Sequence, residues 1–516
     1  SYGDEFEKLY TKYEAEGKYI KKIKATSLWV KIMESQIESG LPYIAFKDSV
    51  NRKTNQNNIG MIRSSNLCCE IMEYSDANEY AVCNLASINL TAHVKPNTKT
   101  IEEVSKWKNV TLVTADDCQW CTLMKGLLVQ YNISYREEIL QRDDFGNIVW
   151  TEQMKQHDLR KVPQLFASIK TSGEDIDAPK NIGGYDAVWK LLRPTFDYGG
   201  LYQTTITVTR NLNRIIDLNY YPVEETRRSN LRHRPIGIGV QGLADVFQIL
   251  RIPFDSMDAR VLNAHIHETI AHAALSESCN LAIKHAPYET FEGSPLSEGL
   301  FQFDLWEQRG QYRQIPMLRQ WDWESLREKI KTNGVRNSLL LAPMPTASTS
   351  QILGNNECFE PYTANIYTRR VLAGEFTVIN QHLVSDLRNL GLWNDTMASL
   401  MVEHRGSVQN IDGIPQYLKA IYKTAWELKQ KVLVDMARDR GFFICQSQSL
   451  NLFFERPDYE TLSKAHLYSW KCGLKTGSYY IRSKPAITSQ QFTVAVKSSK
   501  KPEEMRQNEP CELCSS

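Results

Sequence analysis

Apolar residues Leu28, Trp29, Ile32, Met33 and Ile37 recur at helical spacing, so the first forty residues read as helix, with Gly40 and Pro42 as the stop. From Tyr43 to Leu90 the texture changes to short strand-like runs between polar loops, one of them the Asn-rich stretch Asn51 to Asn58. Residues 92–108 are polar and read as a linker. A self-contained pattern then runs over residues 109–193. It has a strand at Val110 to Thr114, a Cys-containing turn, a helix at Met124 to Gln130 and a second strand near Ile133 to Tyr135. Lys161 to Phe166 and Ile182 to Asp186 follow, completing the alternation of a small α/β domain. Residues 194–487 again alternate helices with apolar strand-like segments, and residues 488–516 lack periodicity and read as a mobile tail.

Composition narrows the class. The chain has 516 residues, 42% hydrophobic and 23% charged, which fits a protein with real cores and not a disordered chain. Lys and Arg number 61 against 60 Asp and Glu, so no charge excess points to nucleic acid or a membrane surface. No apolar run approaches the ~20 residues that span a bilayer. The 11 cysteines, an odd number without a secretory signal, favour reduced thiols in a cytoplasm over a disulfide framework.

Several constellations could carry chemistry. In an extended segment Asn66, Cys68 and Glu70 would share one face at ~6.6–6.8 Å intervals, presenting an amide, a thiol and a carboxylate. Cys83 could add a second thiol from a neighbouring strand, although free cysteine is commonly a small buried hydrophobe. Cys118-Gln119-Trp120-Cys121 lies between a strand and a helix, where free N–H groups favour a thiolate and a two-residue spacer suits a resolving thiol. Half of a four-cysteine zinc site is the competing reading, with Cys511/Cys514 as its distant partner pair.

Cys511 and Cys514 sit on a tail whose ~22 flexible residues reach roughly 25 Å, enough to visit a buried site. Pro345, Thr346, Ala347, Ser348 and Thr349 open a helix and offer donors to an anion such as a phosphate, with ordinary capping as the alternative. Tyr479-Tyr480 is packing unless its context makes it redox-active. Gly237 to Gly242 spells GxGxxG but follows a polar stretch and not an apolar strand, so a dinucleotide site is set aside. His267 and His272 are five apart, roughly 140° around a helix, and do not form a zinc pair.

Taken together, these residues resemble the large catalytic subunit of class I ribonucleotide reductase. The resemblance lies in Ser65 to Ile71, Ala81 to Leu90, Thr209 to Asn213, His233 to Asp245, Leu341 to Val371 and Gly473 to Pro485. Residues 109–193 resemble a glutaredoxin through the Cys118–Cys121 turn, Val162-Pro163 and Ile182 to Asp186. The implied fold is α/β: the second half of a ten-stranded barrel, with an inserted thioredoxin-fold domain and a flexible C-terminal tail. The implied reaction reduces ribonucleoside diphosphates by a thiyl radical on Cys68. Glu70 would accept the 3′-hydroxyl proton, Asn66 would orient the sugar, and Cys83 would be one of two reducing thiols. Pro345 to Thr349 would hold the diphosphate.

Tyr479 and Tyr480 would relay the radical from a metal-containing small subunit, so no cofactor is bound directly. Cys511 and Cys514 would re-reduce the site, and Cys118 and Cys121, served by glutathione or a dithiol, would reduce them in turn. Val162, Pro163 and Asp186 would bind the glutathione. The resemblance also implies that the N-terminal half of the large subunit, with the partner of Cys83, comes as a separate chain. A split reductase carrying a glutaredoxin suggests a phage-like genome. The rival readings are a thiol–disulfide oxidoreductase on an inactive reductase scaffold, and a non-catalytic remnant.

Overall fold

The computed structural model describes residues 1–97, 102–116, 118–145, 148–169, 178–371 and 374–484. Its principal core is built around a row of five chain segments lying side by side. Leu85–Asn89 pairs in parallel with Gly237–Gln241. That strand bonds in turn to the 339–342 segment, through Ile236 N to Leu339 O (3.0 Å) and Ala342 N to Ile238 O (3.1 Å). The 446–449 segment follows, through Gln446 N to Leu341 O and Ser449 N to Pro343 O. It runs on into Leu452–Phe454, which pairs in parallel with Ile481–Ser483. All of Gly237–Gln241 is buried, as are Leu339 to Ala342, which explains continuous apolar runs where a one-sided strand would alternate.

The glycines of the GxGxxG run serve this row. A Cβ on Gly237 would collide with Leu85, and one on Gly239 would lie 2.7 Å from the Met344 sulfur. Close approach between neighbouring segments therefore requires glycine there. Helices Tyr198–Leu218 and Met257–His285 pack together outside the row. His267 and His272 lie in the second of these with separate partners, Asn263 O and Asp322 O. Among the described residues no cluster of three or more His, Cys, Asp or Glu side chains could hold a metal ion. Nor is any of their helices long and apolar enough to cross a membrane.

The first forty residues form two helices, Gly3–Ala15 and Ala25–Ser39, and the second ends on Gly40 in the left-handed region (φ 76°). Its inward face is narrower than the spacing predicts: Met33 is buried, while Leu28 and Ile37 are exposed. Between Tyr43 and Leu90 only Ile44–Ala45 and Leu85–Asn89 are strands, with a helix at Lys47–Arg52. The expected linker carries structure too. Val94–Lys95 pairs antiparallel with Thr195–Phe196, and Lys95 is bound to Asp197 at 2.7 Å, so the chain enters and leaves the intervening unit at one neck.

That unit is a four-stranded sheet in the order Arg136–Ile139, Trp107–Thr114, Gln164–Ile169, Lys180–Gly183. The first pairing is parallel and the other two antiparallel. Helices Gln119–Gln130 and Tyr185–Leu192 cover one face, where Leu112, Met124, Leu128, Leu165 and Val188 are buried together. Val113, Leu140, Met154 and Phe166 pack on the other. The strand expected at Ile133 to Tyr135 begins instead at Arg136, because Ile133 is spent on the core before the ladder starts. A third cluster, from Ile366 to Tyr422, gathers a hairpin and three short helices beside the row. Replacing Leu112, which is fully buried, by alanine should destabilise the four-stranded unit by roughly 2–5 kcal/mol. Hydrogen exchange should show protection falling across residues 107–192 while residues 237–285 keep theirs.

Candidate active site

Asn66, Cys68 and Glu70 are brought together, but not by the extended row that their alternation predicts. Cys69 N bonds back to Asn66 O (3.3 Å) and Cys69 takes a positive φ of 63°, so residues 66–69 make a turn. The turn lets Asn66 Nδ2 donate to Glu70 Oε1 at 2.8 Å, across four residues that an extended chain would hold about 13 Å apart. A non-glycine residue in the left-handed region is uncommon, which is why nothing in the local sequence marks this bend.

The loop is fastened to the fourth segment of the row. Ser447 N donates to Glu70 O, Ser449 Oγ to Cys68 O (2.6 Å) and to Glu70 Oε2 (2.9 Å), and Thr476 Oγ1 to Cys69 O (2.7 Å). Tyr479 OH then donates to Cys68 Sγ at 3.5 Å. Tyr479 and Tyr480 lie 4.5 Å apart between centroids with their rings tilted by 56°, and Tyr43 closes a triangle with them at 4.8 and 5.0 Å. Tyr43 and Ser449 were not singled out by the sequence. The available signal for Ser449 was a polar run, Gln446 to Ser449, set between apolar neighbours and entirely buried.

Burial sets the charge states. It pushes the Cys68 thiol up from its ordinary range, against the Tyr479 hydrogen bond, and it pushes the Glu70 carboxyl up against its hydrogen bonds. Glu73, fully enclosed, is driven to about 8 by desolvation. Cys83 keeps an exposed edge, yet the atoms crowded around its thiol raise it by desolvation first and then by the charges of Glu73 and Glu70. Cys83 sits two residues before the Leu85–Asn89 strand, not inside it, close enough to Cys68 for the charge of that thiol to be felt. Both shifts favour S–H over the thiolate, and S–H is the form that can give up a hydrogen atom.

Of the expected anion-binding residues, Ala347, Ser348 and Thr349 are exposed at the start of the helix Thr349–Leu353, while Pro345 is half-buried. Thr346 is buried and its hydroxyl accepts from Cys358 N (2.7 Å), so it shapes the loop. The Ser87 and Thr349 hydroxyls meet at 3.5 Å, which ties this loop to the strand that follows Cys83.

The second dithiol has another character. Cys118 and Cys121 are joined by a disulfide, and Cys118 caps the helix Gln119–Gln130 with its sulfur accepting from Cys121 N (3.1 Å). Val162–Pro163 is a cis peptide. A Cβ on Gly184 would stand 3.3 Å from Pro163 O, so Val162 and Pro163 lie beside the segment that carries exposed Asp186. Cys511 and Cys514 lie outside the described residues.

A family model described as the barrel domain of ribonucleotide reductase matches residues 1–118 and 185–480, with a break over most of the four-stranded unit. The chain is 45% identical over 522 residues to the ribonucleoside-diphosphate reductase large subunit of Caenorhabditis elegans, covering all of this chain and 53% of that protein. It is 48% identical over 493 residues to the large subunit of Arabidopsis thaliana (96% of this chain, 50% of the other). The large subunit of Acanthamoeba polyphaga mimivirus is 45% identical over 495 residues (96% and 45%). The chain thus spans about half the length of the curated relatives it matches. Among solved structures, the class Id ribonucleotide reductase alpha subunit of Actinobacillus ureae superposes with a TM-score of 0.54 over 89% of this chain and 61% of that one. At 21% identity that likeness speaks for the fold alone.

Replacing Glu73 by glutamine should change the pH dependence of stability in one direction. A carboxyl whose folded pKa is raised contributes stability that is present below its ordinary value near 4.5 and lost as pH climbs towards 8. The Glu73→Gln variant should therefore gain on the parent by several kcal/mol between pH 5 and 8, at ~1.4 kcal/mol per pH unit. Denaturant midpoints measured across that range check it.

Proposed function

The chain belongs to the ribonucleotide reductase barrel-domain family, and from that membership we propose that it reduces ribonucleoside diphosphates to deoxyribonucleoside diphosphates by a radical on Cys68. The observation that carries this reading is the Tyr479 hydroxyl, 3.5 Å from a Cys68 sulfur that burial keeps protonated. A phenoxyl radical on Tyr479, passed along Tyr480 from a metal-containing small subunit, takes the hydrogen atom of Cys68 and returns to a phenol. The thiyl then takes the ribose 3′ hydrogen. Glu70, as a carboxylate made a stronger base by burial and hydrogen-bonded by Asn66 and Ser449, receives the 3′-hydroxyl proton. The 2′-hydroxyl leaves as water while Cys83 and a second thiol give two electrons and end as a disulfide. Cys68 then returns its hydrogen to the 3′ carbon. Ala347, Ser348 and Thr349 take the diphosphate, with Pro345 and Thr346 holding their loop.

The five-segment row is proposed to be the second half of a ten-stranded barrel, completed by an N-terminal half on a separate polypeptide. The four-stranded unit is read as a thioredoxin-fold, glutaredoxin-like domain. Glutathione bound at Val162, Pro163 and Asp186 would reduce Cys118–Cys121, and that dithiol would then reduce a Cys511–Cys514 disulfide.

The test measures deoxyribonucleoside diphosphate formed with the small subunit, glutathione and the polypeptide carrying the other half. The complete mixture should be active. Cys68→Ser and Tyr479→Phe should each fall to background while glutathione-dependent turnover of a small disulfide continues. Turnover of that disulfide alone, with no deoxynucleotide in any mixture, would favour an oxidoreductase on an inactive scaffold.

A further inference from the structure

The dithiol unit does not hang from its neck alone. A second contact, distinct from the paired strands at Val94–Lys95 and Thr195–Phe196, centres on one guanidinium. Arg251 follows the helix Leu243–Ile249 in the left-handed region (φ 53°) and is largely buried. It donates to Asp386 Oδ1 at 2.7 Å, and Tyr422 OH donates to the other Asp386 oxygen at 2.8 Å. Its guanidinium lies 5.0 Å from the ring centre of Trp189, which belongs to the unit. One side chain of the main core thus grips the helical cluster on one side and the inserted unit on the other.

The grip continues to the thiols. Trp120, the residue before Cys121, packs against Tyr185 of its own unit (5.4 Å) and Tyr417 of the helical cluster (5.6 Å). The Arg251 charge is felt by both of those phenols. At Gly126, midway along the helix that Cys118 caps, a Cβ would lie 3.6 Å from the Asn389 carbonyl. The contact therefore runs from the Cys118–Cys121 turn along the helix to Gly126, while Asp186 stays exposed and Val162 half-exposed. A neck alone leaves a swivel. The contacts of Trp189 with Arg251 and of Trp120 with Tyr417, the latter beside the disulfide, restrain it.

We propose that Arg251 is a positioning residue that holds the dithiol unit in a fixed seat, aiming Cys118 and Cys121 at the tail cysteines of the same chain. The proposal rests on the reading that this unit re-reduces Cys511–Cys514. Two glutathiones reduce the Cys118–Cys121 disulfide and leave as glutathione disulfide. The resulting dithiol passes two electrons and two protons to Cys511–Cys514 and closes again. A fixed seat raises the effective concentration of one dithiol at the other, an advantage that a swivelling unit dilutes.

The full chain, with its tail oxidised, is given glutathione recycled by glutathione reductase, and tail thiols are counted by alkylation and mass. Arg251→Met and, separately, Tyr417→Ala should slow tail reduction by about tenfold or more, the scale expected when an intramolecular step loses its geometry. Reduction of the same tail by dithiothreitol, and glutathione-dependent turnover of 2-hydroxyethyl disulfide, should stay within about twofold of the parent on that scale. Unchanged tail reduction in both variants overturns the seat, as does loss of small-disulfide turnover in both. A parent chain whose tail is reduced by dithiothreitol but never by glutathione overturns the underlying reading instead.

Discussion

A loop without helix or strand can enter a protein interior only if its backbone polar groups find partners there, and the placement of residues 66–72 depends on meeting that constraint. The partners are unusually concentrated. Ser447 N, Ser449 Oγ, Thr476 Oγ1 and the Gln446 side chain satisfy Glu70, Cys68, Cys69 and Met72 from a neighbouring segment and from the strand Thr476–Ser478, which pairs with Ile44–Ala45. The residues that supply these groups are all buried, so losing one would strand its partner away from water at a cost of about 1–3 kcal/mol. Cys68 is thereby set under Tyr479, and the tyrosine triangle is set by the segment that closes the row. The site is held by polar bonds in a place where apolar packing alone would leave the loop free to slide.

The thiols of Cys68 and Cys83 and the Cys118–Cys121 pair stand in contrasting surroundings. Around Cys68 and Cys83, desolvation and neighbouring carboxylates disfavour the thiolate, which suits exchange of hydrogen atoms and works against nucleophilic attack. Cys118 instead stands at a helix N-terminus with a backbone N–H directed at its sulfur, a setting that in general suits disulfide exchange. No charged side chain is needed for the second case. The difference lies in whether the backbone around the sulfur is curled into a buried turn or opens a helix.

Much of this was legible in the chain, and what was not follows a rule. Features fixed by residues within a few positions of each other emerged directly: the stop at Gly40, the helix opening at Cys118, the strand–helix alternation between residues 109 and 193. The grouping of Asn66 with Glu70 was legible while its geometry was not, because the bend depends on Cys69 adopting a conformation its side chain disfavours. Ser449 meets Cys68 across 381 residues and Tyr43 meets Tyr479 across a similar gulf, separations at which periodicity carries no information. The seat of the inserted unit was invisible for the same reason: Arg251, Trp189 and Asp386 come from three parts of the chain and look, one by one, like ordinary surface or core residues.

The neck bears on how such a chain can be built and rebuilt. Lys95 and Thr195 stand opposite each other in an antiparallel pair, where Cα atoms are about 4.5–5.5 Å apart and a two-residue turn closes the gap. Everything between them can therefore be replaced by a tight hairpin without moving either end. The four-stranded unit is joined to the rest by ends that face each other, and the same socket would accept any other folded unit with ends that close together.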